Sequence, residues 1–122
     1  MKITGFNPMI VSNNTEGIIQ LFEEMGFAKR HDVSGQTESD YRDVIMEDEN
    51  ENRVDIAQVE TEKDLILLRM NVDDFQEAYD FLIQKGFVNT RGDGTVGTET
   101  SKAATMVSPS GFMISLIQHI KE

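Results

Sequence analysis

The sequence predicts an α+β protein built from two copies of a strand–helix–strand–strand–strand unit. Two observations carry this reading. Two amphipathic helix signals, "SNNTEGIIQLFEEMGF" and "NVDDFQEAYDFLIQKGF", stand 60 residues apart in a chain of 122. Each is preceded by one apolar, strand-like run and followed by three more, separated by polar turns. One helix cannot cover both faces of a four-stranded sheet. The uncovered face is therefore expected to curl around a cavity or a partner.

The helices come first because their punctuation is clearest. In the first, Asn13 or Asn14 offers a side-chain acceptor to the orphan amides of the opening turn. Ile18, Ile19, Leu21, Phe22 and Met25 fall near helical spacing and predict one apolar face, and Gly26 is placed as a left-handed stop. In the second, Asp73 or Asp74 is the cap. Phe75, Ala78, Tyr79, Leu82 and Ile83 form the predicted stripe, and Gly86 ends it. Acidic residues near each start also suit the helix dipole.

The strands follow in order. "NPMIVS" precedes the first helix, and "AKRHDV", "YRDVIME" and "RVDIAQVE" follow it, with "DENEN" as the turn between the last two. "LILLRMNV" precedes the second helix, and "VNTR", "KAATMVS" and "FMISLIQHI" follow it. "SPSG" is the turn before the final strand, with Pro109 and Gly111 in turn-forming roles. The polar, glycine-bearing segments "SGQTESD" and "GDGTVGTETS" are predicted loops.

An ungapped offset of 60 aligns more than the helices. Asn14 falls on Asp74, Gly26-Phe27 on Gly86-Phe87, Met46 on Met106, Val54 on Ile114, Ile56 on Leu116 and Gln58 on Gln118. Caps, stops and apolar positions agree far better than identities do, which marks two copies of one unit.

Composition bounds the function. The length suits one compact domain, residues 1–122, able to build its own core. With 39% hydrophobic and 27% charged residues, the chain reads as a soluble globular protein. There is no cysteine, hence no disulfide framework and no thiol nucleophile, which fits the cytoplasm. No long apolar run follows Met1-Lys2, so neither a signal peptide nor a membrane span is expected. The net charge of −11 should repel polyanions, which argues against nucleic acid and anionic membranes as partners. Cationic and neutral ligands stay open; otherwise the acidity simply aids solubility.

The order of elements, the turn "SPSG" before the last strand, and "FEEMGF" and "LIQKGF" at the helix ends resemble the vicinal oxygen chelate superfamily. The resemblance spans nearly the whole chain. That group includes glyoxalase I, extradiol dioxygenases, fosfomycin resistance enzymes and bleomycin resistance proteins. It implies two tandem βαβββ modules, 1–60 and 61–122, whose curved mixed sheets surround a cavity for a small organic ligand. It also implies a homodimer.

Catalytic members of that superfamily bind a divalent metal at four places, early in the first strand and within the last strand of each module, through His, Gln or Glu. By resemblance, the last-strand position lies four residues beyond the turn glycine, so Gly111 points to Ser115 and the repeat to Asp55. The first-strand position lies seven residues before the helix cap, so Asn14 points to Asn7 and Asp74 to Leu67. Leu67 has no donor atom, and a neutral serine hydroxyl is a poor ligand for zinc, nickel, iron or manganese. Neither first strand offers a histidine or carboxylate, so a one-residue shift supplies none. The expectation is no metal and no other cofactor.

Five residues are candidate ligand contacts: Asn7, Asp55, Leu67, Arg69 and Ser115. Buried in a cavity, Asp55 could act as a base or hold a cation. As an ordinary carboxylate it could instead pair with Arg53. Arg69 shares a strand face with Leu67 and Asn71, whereas Leu68, Met70 and Val72 should pack on the helix. Arg69 then faces the cavity, to bind a ligand anion or to pair with Asp55. His31 reads as a surface residue. His119 shares its strand face with Ser115 and is expected to be merely exposed. Seven methionines suit an adaptable pocket or ordinary core filling.

Three functions follow. A metal-free protein that encloses a small cationic or neutral ligand resembles the bleomycin resistance branch, whose start "NPMIVSNN" resembles. The absence of Trp leaves little to stack on a flat heteroaromatic, which counts against bleomycin itself. The alternative is a glyoxalase-type lyase or isomerase with an altered active site, its chemistry moved to Asp55. The third is a dimer without a ligand.

Overall fold

The computed structural model describes residues 1–34, 42–90, 96–97 and 101–119. Its elements are β1 (Ile3–Ser12), α1 (Thr15–Glu24), β2 (Ala28–Ser34), β3 (Arg42–Glu47), β4 (Arg53–Gln58) and β5 (Leu65–Val72). They continue with α2 (Phe75–Gln84), β6 (Val88–Asn89), β7 (Val96–Gly97), β8 (Ser101–Val107) and β9 (Met113–His119). The fold is α+β, with the expected βαβββ order in the first half and the same order plus one two-residue strand, β7, in the second. Contacts divide the chain into a first unit, Asn7–Ile66, and a second, Met1–Phe6 with Leu67–Glu122.

In the first unit β1 runs parallel to β4, with Met9 opposite Asp55 and Ile10 opposite Ile56. Strand β4 is antiparallel to β3, with Ile56 opposite Val44, and β3 is antiparallel to β2. In the second unit β5 runs parallel to β9, with Arg69 opposite Ser115 and Met70 opposite Leu116. Strand β9 is antiparallel to β8, with Leu116 opposite Ala104, and β8 also pairs with β6 and β7. Adding 60 to each of the β1–β4 and β3–β4 pairs named here gives the matching β5–β9 or β8–β9 pair. The repeat is a repeat of hydrogen-bond register as well as of sequence.

The helices start and stop by the same chemistry. The Asn14 side chain accepts from the Gly17 amide, and the Asp74 side chain accepts from the Glu77 amide. Each bond satisfies an amide that has no partner inside its helix. At the other end Gly26 has φ +105° and Gly86 has φ +95°. The amides of Phe27 and Phe87 reach back to the carbonyls of Phe22 and Leu82.

Each helix covers one face of its own sheet. Ile19 packs with Val44, Met46, Val54 and Ile56, flanked by Ile10, Ile18, Phe22 and Phe27. Phe75, Ala78 and Leu82 pack with Val72, Ala104, Met106, Ile114 and Leu116, flanked by Leu68, Met70, Tyr79 and Phe87. The alternation expected in "LILLRMNV" therefore holds, with Leu68, Met70 and Val72 on the helix side.

The predicted helix faces were too wide. Leu21, Met25 and Ile83 are exposed, not core. Leu21 lies two residues past Ile19, about 200° around the helix, and Ile83 flanks its stripe about 100° from Leu82. Met25 is the C-terminal cap residue, beyond the last packed turn. Strand β1 begins at Ile3, earlier than "NPMIVS" suggests. The predicted loop "GDGTVGTETS" contains β7. Most of "SGQTESD", and Arg91 of "VNTR", lie outside the described residues.

Both predicted turns form. In "DENEN", Asp48 accepts from the backbone amides of Asn50 and Asn52 and from the Asn52 side chain. These bonds, the Asn52 side chain's first, hold the Asp48 carboxyl below its ordinary value. In "SPSG", Ser108 Oγ accepts from the amides of Gly111 and Phe112. Gly111 supplies the positive φ of +107° that a β-carbon would oppose.

Candidate functional site

Strand alternation assigns the remaining side chains to the face that the helix leaves uncovered. In the first unit Val54 and Ile56 point to α1, so Asp55 and Ala57 point away, as do Met9 and Val11 on β1. Asp55 is only 1% exposed. Asn7 Nδ2 donates to Asp55 Oδ1 at 2.7 Å and to the Pro8 carbonyl at 2.9 Å. The structure thus brings together two of the five predicted residues, a carboxylate and an amide, on one helix-free face.

The postulated Arg53 partner is engaged elsewhere. Arg53 Nε donates to Glu47 at 2.7 Å, and Arg30 also pairs with Glu47. These cations, Arg53 first, hold the Glu47 carboxyl below its ordinary value. His31 is exposed and stands opposite Ile45, after a register shift in β2 between Lys29 and His31.

In the second unit Leu67 and Arg69 are buried on the helix-free side of β5, at 5% and 6% exposure. Ser115 is the register partner of Arg69 on β9, and Thr105 is the register partner of Ser115 on β8. Arg69 Nε donates to Asn71 Oδ1 at 3.3 Å. One terminal guanidinium nitrogen of Arg69 lies 3.5 Å from His119 Nε2. An arginine keeps its protons, so at this contact His119 Nε2 is the acceptor. Sequence reasoning left His119 as a bystander. It is exposed, but the period of two that aligns it with Ser115 also brings it to Arg69, and that signal was available.

The donor chemistry at the four positions that the resemblance singles out is that of an amide, a carboxylate, an alkyl group and a hydroxyl. Asn7 spends its amide nitrogen on Asp55, and Leu67 contributes no lone pair. Among the described residues no group of three or more His, Cys, Asp or Glu is arranged to hold a metal ion.

This architecture is that of a known class. The chain has the fold of the vicinal oxygen chelate superfamily, the glyoxalase and bleomycin resistance fold. Methylmalonyl-CoA epimerase from Mycobacterium tuberculosis superposes with a TM-score of 0.71 at 13% identity, covering 98% of this chain and 90% of that chain. Glyoxalase I from Zea mays gives 0.71 at 12% identity, covering 98% of this chain and 44% of that chain. A Staphylococcus aureus protein gives 0.70 at 12% identity, covering 98% and 99%. No family profile matches the sequence, and no curated protein matches it. Among the described residues no helix is long and apolar enough to cross a membrane.

Proposed function

We propose that this chain binds a small organic ligand without a metal ion or other cofactor. The observation that carries the reading is the Asn7–Asp55 pair, a buried carboxylate held by an amide on a helix-free face. Each helix-free face offers contacts: Asn7 and Asp55 on one, Leu67, Arg69 and Ser115 on the other. A group that donates to Asp55, cationic or neutral, suits a protein of net charge −11. The residues at the inherited positions do not fit a divalent metal, because Leu67 lacks a donor and Ser115 offers only a neutral hydroxyl.

The bland composition of the chain supports a cytoplasmic protein that engages neither nucleic acid nor membrane. Apolar side chains exposed at Phe6, Leu21, Ile66 and Phe81 support a homodimer. A second reading is a lyase or isomerase of altered chemistry, with Asp55 as its base. It is favoured by the names of the structural neighbours, an epimerase and a glyoxalase.

A thermal-shift panel of cationic and neutral antibiotics, run with and without nickel and zinc, tests the proposal. The melting temperature should rise with at least one organic compound at concentrations well above its dissociation constant. Metal salts should leave it unchanged. A metal present at one equivalent in purified protein, with stabilisation by that metal, would overturn the reading in favour of the enzyme.

A further inference from the structure

We propose that the end of the second unit at which α2 stops docks a second copy of this chain, through an apolar patch centred on Phe112. The proposal rests on the homodimer reading above and names its face. Phe81, Ile83, Val88 and Phe112 all stand at that end, each between 43% and 62% exposed. Phe81 and Ile83 belong to the last turn of α2, and Lys85 Nζ lies 5.5 Å from the centre of the Phe81 ring. The Phe112 ring meets the Phe87 ring edge-on, with centroids 5.7 Å apart, and Val88 follows Phe87 in the chain. Exposed Pro109 closes the patch beside Gly86, where a β-carbon would lie 3.0 Å from Pro109 Cγ.

The repeat shows that the scaffold does not require this surface. The Ser108 amide donates to the Phe112 carbonyl at 2.8 Å, and the Asp48 amide donates to the Asn52 carbonyl at 3.0 Å. The Gly111 amide donates to the Ser108 carbonyl, and the Glu51 amide to that of Asp48. The two turns thus share one backbone pattern. Yet Phe81, Ile83, Val88, Pro109 and Phe112 correspond, 60 residues earlier, to Leu21, Glu23, Ala28, Glu49 and Asn52. The first copy presents two carboxylates and an amide where the second presents isoleucine, proline and phenylalanine. Nor does the core need the ring of Phe112. Phe27, the counterpart of Phe87, meets Phe22 edge-on at 5.1 Å instead. An apolar patch that neither the turn nor the core requires is left for contact outside the unit.

Charge selects a copy of the chain as the occupant. Of the net −11, residues 7–66 carry −10, with fifteen Asp or Glu against five Lys or Arg. The second unit carries −1, with seven against six. Repulsion between like charges scales with their product, so two second units can meet where two first units would repel. A strongly basic partner would be drawn to the first unit instead, and a polyanion is repelled by the chain as a whole. A near-neutral apolar face is matched by another copy of itself. Such self-complementary pairing is the commonest way in which identical chains associate, and aromatic side chains are enriched at the core of interfaces.

The test measures the mass of the full chain by analytical ultracentrifugation across the micromolar range. The wild type is expected to be a dimer. Its dissociation constant should rise about tenfold or more in the double variant Phe112→Asn, Val88→Ala, which borrows the first unit's own residues. Circular dichroism should show the variant folded. Should it fail to fold, Ile83→Glu, patterned on Glu23, carries the test with the same expected loss. Leu21→Gln, in the first unit, should leave the dimer as it is. Added sodium chloride should leave the dimer intact or tighten it, because the charges that it screens are alike. A dimer that survives the second-unit variants, that Leu21→Gln weakens as much, or that salt takes apart overturns this face while the homodimer reading stands. A monomer at every concentration, its patch left to a different protein, overturns both.

Discussion

Gln58 and Gln118 perform the same task 60 residues apart. Gln58, in the last strand of the first unit, accepts from the Thr15 hydroxyl at 2.9 Å and donates to the Asn13 carbonyl at 3.0 Å. Gln118, in the last strand of the second, accepts from the Phe75 amide at 2.8 Å. Thr15 and Phe75 are the first residues of α1 and α2. Each glutamine ties the start of its helix to the strand that carries Asp55 or Ser115.

Truncating these ties should destabilise the protein. Gln118→Ala leaves the amide of buried Phe75 without this acceptor, at a cost of about 1–3 kcal/mol. Gln58→Ala leaves the buried Thr15 hydroxyl in the same position, with a loss in the same range. Urea denaturation of the two variants measures both, and losses below about 0.5 kcal/mol would show the ties to be incidental.

The two stop glycines should differ. Both hold a positive φ, so alanine strains either by about 1–3 kcal/mol. At Gly26 a β-carbon meets nothing within 4 Å, whereas at Gly86 it would stand 3.0 Å from Pro109 Cγ. A proline ring cannot swing aside as a flexible chain end does. Gly86→Ala is therefore expected to lower the melting temperature more than Gly26→Ala, and calorimetry of the pair decides the order.

Asn7→Ala removes a donor from a buried carboxylate. Hydrogen bonds to charged groups are worth about 1.5–3 kcal/mol, so the variant should lose stability on that scale at neutral pH. Chemical denaturation of wild type and variant reads the difference, and a loss below about 0.5 kcal/mol would show the bond to be incidental.

Acid should weaken the β3–β4 hairpin. Glu47 and Asp48 both have lowered pKa values in the folded chain, from ordinary values of 4.5 and 3.8. A lowered folded value means that the unfolded chain takes up protons first as pH falls. The stabilisation is complete above those ordinary values and disappears as pH drops through the lowered ones. Glu47→Gln and Asp48→Asn should each flatten the acid limb of stability against pH between pH 2 and 5, roughly the window these carboxyls span. Unchanged slopes would remove both groups from the account.

Much of the scaffold was legible because it is written in local chemistry. Asn14 and Asp74 cap, Gly26 and Gly86 stop, and β5 alternates in register with its neighbours. What escaped depends on partners distant in sequence. Leu21 and Ile83 have helical spacing, but a helix lying on one sheet buries only a narrow arc. The Arg53–Glu47 pair depends on hairpin geometry, and spacing alone made Asp55 look equally eligible. The Asn7–Asp55 bond needs the parallel pairing of β1 with β4, which no short stretch of sequence specifies.

The first six residues have a consequence for anyone who would cut this chain in two. The Asp73 amide donates to the Lys2 carbonyl, the Lys2 amide donates to the Asp73 side chain, and the terminal amine pairs with Glu77. A fragment starting at residue 61 would lack all three bonds and the glycine beside Asn71. Splitting the chain between residues 60 and 61 should therefore yield one orphaned half. A permuted gene that opens at Asn7 and moves the first six codons to the far end would keep every compact unit continuous.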